Sequence, residues 1–257
     1  MYIYIYDESA EKRRNSKVLI KIEKKITDLG LNGKVLRLKG ITNIEKTIED
    51  ELKYEAGTIV VIGSDYTFHK TLNAVLKKKD KNPSYKIPVL SIIPLEEKNN
   101  SIASILGLNK PEQACDALLS RRTERVGVGM VDKNYFLTQI EVLGDYSEVE
   151  IGNDYLIEAK SPCDINIINL PLNKEVLKKI KIDFKDQKLK LYIKPQKRSS
   201  FKKQNLNESI LSLENLFITK KTEKVLIDNC LEMPGGLEVK SSNKEVSLVV
   251  GKNRIFK

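Results

Sequence analysis

The stretch Ile59-Val60-Val61-Ile62 is apolar and β-branched throughout, and it stops at Gly63-Ser64-Asp65-Tyr66-Thr67. Successive side chains of a strand point to opposite faces, so this strand must be covered on both sides. Such strands belong inside α/β sheets, where the polar loop at the carboxyl end is the usual place for a ligand. Gly63 to Thr67 is therefore the first candidate for a phosphate-holding loop.

The neighbouring segments follow the same plan. Met1 to Tyr6 alternates aromatic residues with isoleucine, puts Tyr2, Tyr4 and Tyr6 on one face, and ends at Asp7-Glu8-Ser9. Val18, Leu19, Ile22, Ile26 and Leu29 have helical spacing, closed by Gly30. Residues 34–40 read as a second strand, and Thr42 with Glu45 has the spacing of a capping box for the next helix. A helix over 68–79, a buried strand over 86–94 and a helix from Pro111 to Leu119 follow. Strands alternating with helices predict a doubly wound parallel α/β domain over residues 1–122.

Beyond Arg121-Arg122 the pattern changes to short strand-like runs separated by turn residues, among them 125–131, 179–184, 188–195 and 223–229. This half predicts an antiparallel β-sandwich over 123–257, with a flexible basic segment near 194–209. The final residues are expected to pack back on the first domain.

A chain of 257 residues with 40% apolar content can build two modest cores. It has no apolar run of membrane-spanning length and no basic region before its first apolar residues, so a cytoplasmic protein is expected. Three dispersed cysteines and a single histidine, His69, argue against zinc; His69 is expected at the surface. The net charge of +10 is concentrated in residues 174–203, which hold twelve Lys/Arg against three acids. Such a block suits an anionic membrane, including the inner membrane surface. Nucleic acid is the weaker partner, because no groove-reading motif or aromatic platform accompanies the lysines.

Several segments together resemble the soluble diacylglycerol kinase and lipid kinase family, which is related to NAD kinases. They are Gly63-Ser64-Asp65-Tyr66-Thr67, Leu72-Asn73-Ala74, Ile93-Pro94-Leu95, Asn99-Asn100, and Ala103 with Leu106-Gly107-Leu108. The segments over 125–144 and 225–239 resemble the family's entry into its β domain and its later Asp-Gly-Glu motif. The resemblance implies ATP-dependent phosphoryl transfer to a lipid hydroxyl, with ATP and Mg2+ as cofactors. Gly63, Ser64, Asp65, Thr67, Pro94 and Asn99 would contact nucleotide, Asp65 would also orient the metal, and Asp65 and Asp228 would be catalytic.

The departures from the family pattern fall on that chemistry. Tyr66 stands where the family has a glycine, and Glu96-Glu97-Lys98 where it has Gly-Thr-Gly. Cys230 replaces a carboxylate, with Glu232 two residues on as a substitute, and Asp7-Glu8 replaces an Asn-Pro turn. A thiol is a poor ligand for a hard cation. These changes imply the alternative of an inactive pseudokinase, without cofactor, acting as a lipid-binding or protein-interaction module. A second copy of the chain is a further partner to test for.

Overall fold

The computed structural model describes residues 1–53, 56–96, 100–144, 148–152, 155–158, 163–172, 174–180, 188–196 and 207–256. The chain forms two compact units, one of Met1–Val126 with Glu245–Lys257 and one of Gly127–Lys244.

In the first unit β1 (Tyr2–Tyr6), β2 (Gly33–Arg37), β3 (Thr58–Gly63) and β4 (Val89–Pro94) are parallel, in the order β2-β1-β3-β4. The C-terminal part of β16 (Leu237–Val249) lies beside β4, with Leu248 opposite Leu90. Ile59 to Ile62 are buried to within 1% of complete, as a strand covered on both faces requires. The helices are α1 (Ser16–Asp28), α2 (Ile44–Glu51), α3 (Asp65–Lys81), α4 (Ser101–Ile105) and α5 (Pro111–Ser120).

Local capping moves two helix starts from their expected places. The Asn43 side chain, not Thr42, accepts the Lys46 N–H at the start of α2. Ser64 caps α3 by accepting from Thr67 N, so the helix opens at Asp65 rather than 68. His69 consequently faces inward and is 1% exposed, against the expected surface position, and its ring lies 3.3 Å from Asn73 Nδ2.

The chain crosses to the second unit through β5 (Thr123–Val131). That unit contains β6 (Asn134–Phe136), β7 (Gln139–Leu143), β8 (Glu148–Ile151), β9 (Tyr155–Glu158), β10 (Cys163–Ile168) and α6 (Lys174–Ile180). It continues with β11 (Leu189–Pro195), β12 (Ser209–Leu213), β13 (Asn215–Ile218), β14 (Lys224–Ile227), β15 (Leu231–Met233) and the start of β16. One antiparallel sheet runs β12-β11-β10-β7-β14-β15; the other joins β16, β13, β8 and β9. Phe136, Val149 and Ile218 of the latter side meet Ile140, Ile165 and Val225 of the former in one core. This is the sandwich that the short strand runs predict.

Helix α6 was not expected among the strands, since the run over 179–184 reads as β. Lys179 and Ile180 belong to the helix instead, and residues 181–187 lie outside the described residues. Val176 and Ile180, four apart, pack on Ile168 and Tyr192 and so fix a helix on the sheet's outer face. Of the basic segment near 194–209, Lys194 and Pro195 end β11 and Ser209 opens β12, while 197–206 lie outside the described residues.

Gly129 shows how closely the sandwich is packed: a Cβ there would lie 2.2 Å from the ring of the fully buried Phe136. Gly129→Ala is expected to cost about 1–3 kcal/mol, read from urea unfolding as a lower midpoint with unchanged slope.

Candidate functional site

The order β2-β1-β3-β4 reverses direction between β1 and β3, and the crevice beyond their carboxyl ends is where an open α/β sheet binds ligands. The register places Tyr6 opposite Ile62 and Gly63 opposite Pro94. Asp7, Gly63, Ser64 and Pro94 are thereby gathered at one sheet edge, at the N-terminus of the 17-residue α3.

That helix end is an anion site by construction, having free N–H groups and the positive end of the helix dipole. The anion that fills it is the chain's own. Asp7 Oδ2 accepts from Ser64 Oγ at 2.5 Å, Thr67 Oγ1 at 2.6 Å and Ser64 N at 3.3 Å, and Oδ1 accepts from Ser9 N at 2.6 Å. Burial by itself would raise the Asp7 pKa, but the hydrogen bonds from Ser64, Thr67 and Ser9 hold it below the ordinary carboxylate range. Gly63, at φ +155°, lets the loop close on this side chain, because a Cβ there would lie 2.1 Å from Asp7 Cβ.

Asp65 is 3% exposed and turned the other way. Its carboxylate accepts from Ser101 N at 2.7 Å, Ser101 Oγ, and Ile102 N at 3.1 Å, and so caps the first turn of α4. A magnesium ion takes free oxygen lone pairs in a near-octahedral set, and a carboxylate already holding these donors does not fit one. Among the described residues, no group of three His, Cys, Asp or Glu side chains is placed to hold a metal. Asp7 likewise takes both hydroxyl donors of the loop, Ser64 Oγ and Thr67 Oγ1, and the Ser64 N–H.

The second loop carries Glu96, whose carboxylate is 2.8 Å from Arg14 Nη2 and accepts from Asn15 Nδ2 at 3.4 Å. Glu97, Lys98 and Asn99 lie outside the described residues. Tyr66 is 39% exposed, with Lys70 Nζ 5.5 Å from its ring centroid, and both residues line a cavity beside α2.

Asp228, in the second unit, is completely buried. It accepts from Thr138 N at 2.7 Å, Thr138 Oγ1 at 2.8 Å and Leu137 N at 3.0 Å, tying the β14–β15 turn to the β6–β7 connection. Asp228 and Asn229 both have left-handed backbone, at φ 50° and 57°, which Asn and Asp tolerate better than most side chains. Glu232 forms a surface ion pair with Lys224 at 3.5 Å, and Cys230 Sγ lies 3.6 Å from Ile227 O.

Sequence reasoning brought Gly63, Ser64, Thr67 and Pro94 to one place but missed two partners, Asp7 as their anion and Ser101 as the residue capped by Asp65. Only the neighbourhood of Asp7 was findable: it directly follows the first strand, as Gly63 ends the third, and parallel neighbours bring such ends together, while the bond itself depends on the register.

The comparisons with known proteins agree with this architecture. The family model of the diacylglycerol kinase catalytic domain matches residues 1–131, and the chain belongs to that family. A diacylglycerol kinase from Bacillus anthracis str. Sterne superposes with a TM-score of 0.68 at 14% identity, over 98% of this chain and 97% of that one. An NAD kinase from Archaeoglobus fulgidus, solved in complex with ATP, gives a TM-score of 0.53 at 13% identity, over 99% and 95%. At such identities these two structures establish the shared fold. No curated protein matches the chain by sequence.

Asp7→Asn keeps the shape but replaces the charged acceptor, and is expected to cost about 1–3 kcal/mol at neutral pH. Because the folded pKa is lowered, Asp7 stabilises above the unfolded value of about 3.9, and this is lost as pH falls through the folded pKa. The stability gap between wild type and Asp7→Asn, from urea unfolding, should therefore be constant near neutrality and narrow in acid.

Proposed function

We propose that this chain is a non-transferring member of the diacylglycerol kinase family, kept as a lipid-binding module. The observation that carries the reading is the Asp7 carboxylate bonded to Ser64 and Thr67 at the N-terminus of α3. A second anion at that point would meet a buried like charge; at about 4 Å and an effective dielectric near 20 the repulsion is on the order of 4 kcal/mol. The engagement of Asp65 with α4 and of Asp228 with Leu137 and Thr138 supports the same reading. A base for phosphoryl transfer must reach its hydroxyl within hydrogen-bond distance, and both acids would have to give up or share backbone donors to do so.

The competing reading is ATP- and Mg2+-dependent phosphorylation of a lipid hydroxyl, with Asp65 and Asp228 as working acids and Asn99 on the nucleotide; it draws on family membership. No helix among the described residues is long and apolar enough to cross a membrane, so the lipid would be met at a surface or singly.

Calorimetric titration with ATP, with and without magnesium, separates the two readings. The closed loop predicts no binding at millimolar ATP. Magnesium-dependent micromolar binding that Asp65→Ala abolishes, with the variant still folded by circular dichroism, would overturn the proposal.

A further inference from the structure

We propose that the cavity between α5 and the C-terminal tail of the first unit binds a small phosphorylated polyol, its phosphate held by Arg122 and Lys252. The site lies apart from the Asp7 loop and is independent of the lipid-binding reading above.

The tail forms one wall of this cavity because its backbone is seated directly on another backbone. Gly251 N donates to Leu106 O at 2.8 Å, and Ile255 N to Ile105 O at 2.9 Å. Gly107 has left-handed backbone at φ +72°, and a Cβ there would lie 2.6 Å from Arg254 N. A Cβ at Gly251 would lie 2.1 Å from Gly107 O. Val250 N donates to Arg122 O at 3.0 Å, which sets Arg122 beside the first tail residues. Two cations from distant parts of the chain, Arg122 and Lys252, thus border one cavity of about 430 Å³, a volume suited to a small molecule.

The charges around the cavity leave a cationic surplus. Among the described residues Arg122 and Lys252 enter no ion pair. The one acid of the lining, Asp116 on α5, has Oδ1 2.7 Å from Lys25 Nζ. Glu112, the other acid of α5, does not border the cavity, and Glu124 of β5 is held by Arg254 Nη2 at 2.6 Å. A guanidinium fork with an ammonium beside it matches a phosphate monoester, which carries about −1.5 to −2 charges at neutral pH, better than it matches a single carboxylate.

The rest of the lining calls for hydroxyl groups. Ser120 Oγ already donates to Ala117 O at 2.9 Å, so towards a ligand it accepts, as the Asp116 carboxylate does. The amides of Gln113 and Asn253 both donate and accept. Acceptors of this kind repel a second phosphate and take the O–H groups of a polyol. No aromatic side chain among the described residues lines the cavity, so a nucleoside base has nothing to stack on.

The test is a titration of the isotopically labelled full chain with glycerol 3-phosphate, followed by its amide resonances. Shifts are expected at Gly107, Ser120, Arg122 and Gly251 to Asn253, and not at Gly63 to Thr67, with a dissociation constant of about 1 mM or below. Inorganic phosphate should bind several-fold more weakly, and glycerol should not bind. Arg122→Gln should weaken the ester by at least about tenfold, and Lys252→Gln several-fold. Arg122 is partly exposed and Lys252 fully so, and both variants should keep the wild-type melting temperature within a few degrees. Lys252→Gln, in an exposed turn, carries the test alone if Arg122→Gln fails to fold.

Shifts centred on Gly63 to Thr67, equal affinity for inorganic phosphate, or indifference to the substitutions would each overturn the assignment. So would the absence of any shift at millimolar glycerol 3-phosphate.

Discussion

The first unit is organised around a carboxylate at the start of a helix. Asp7 follows β1, and its oxygens take donors from Ser9, Ser64 and Thr67, residues close to it only because β1 and β3 are parallel neighbours. A charge so enclosed would be costly without those donors, and the donors at the head of α3 would be left open without it. The two needs are met together, which sets the path of the loop and explains why position 63 is glycine.

The same logic recurs at the two other acids the family resemblance singled out. Asp65 closes the start of α4, and Asp228 closes a connection between strands. Each is buried and bonded to backbone N–H groups, and charge-assisted bonds of this kind contribute about 1.5–3 kcal/mol apiece. All three hold the polypeptide in place.

Much of the fold was legible in the sequence because it rests on local patterns. The buried run Ile59–Ile62, the apolar spacing of α1 and the proline opening α5 each specify an element without reference to distant residues. The misreadings have local causes too. Asn43 and Ser64 captured N–H groups that other residues were expected to take, which moved helix starts by a few positions and turned His69 inward. Helix α6 escaped because its few apolar residues are read as helical only once a sheet face is there to receive Val176 and Ile180.

By itself the sequence determined the class of the protein: parallel α/β followed by a β-sandwich, with a glycine-acid loop after the third strand. It also located the departures from the family pattern, but it could not rank them. Tyr66 reads as the obstruction, and its ring lies beside Lys70. The carboxylate bonded to the loop is that of Asp7, 57 positions before Ser64. Only the tertiary structure decided this, because hydrogen bonding depends on which chain ends the sheet register brings within 3 Å, and no spacing along the chain encodes that distance.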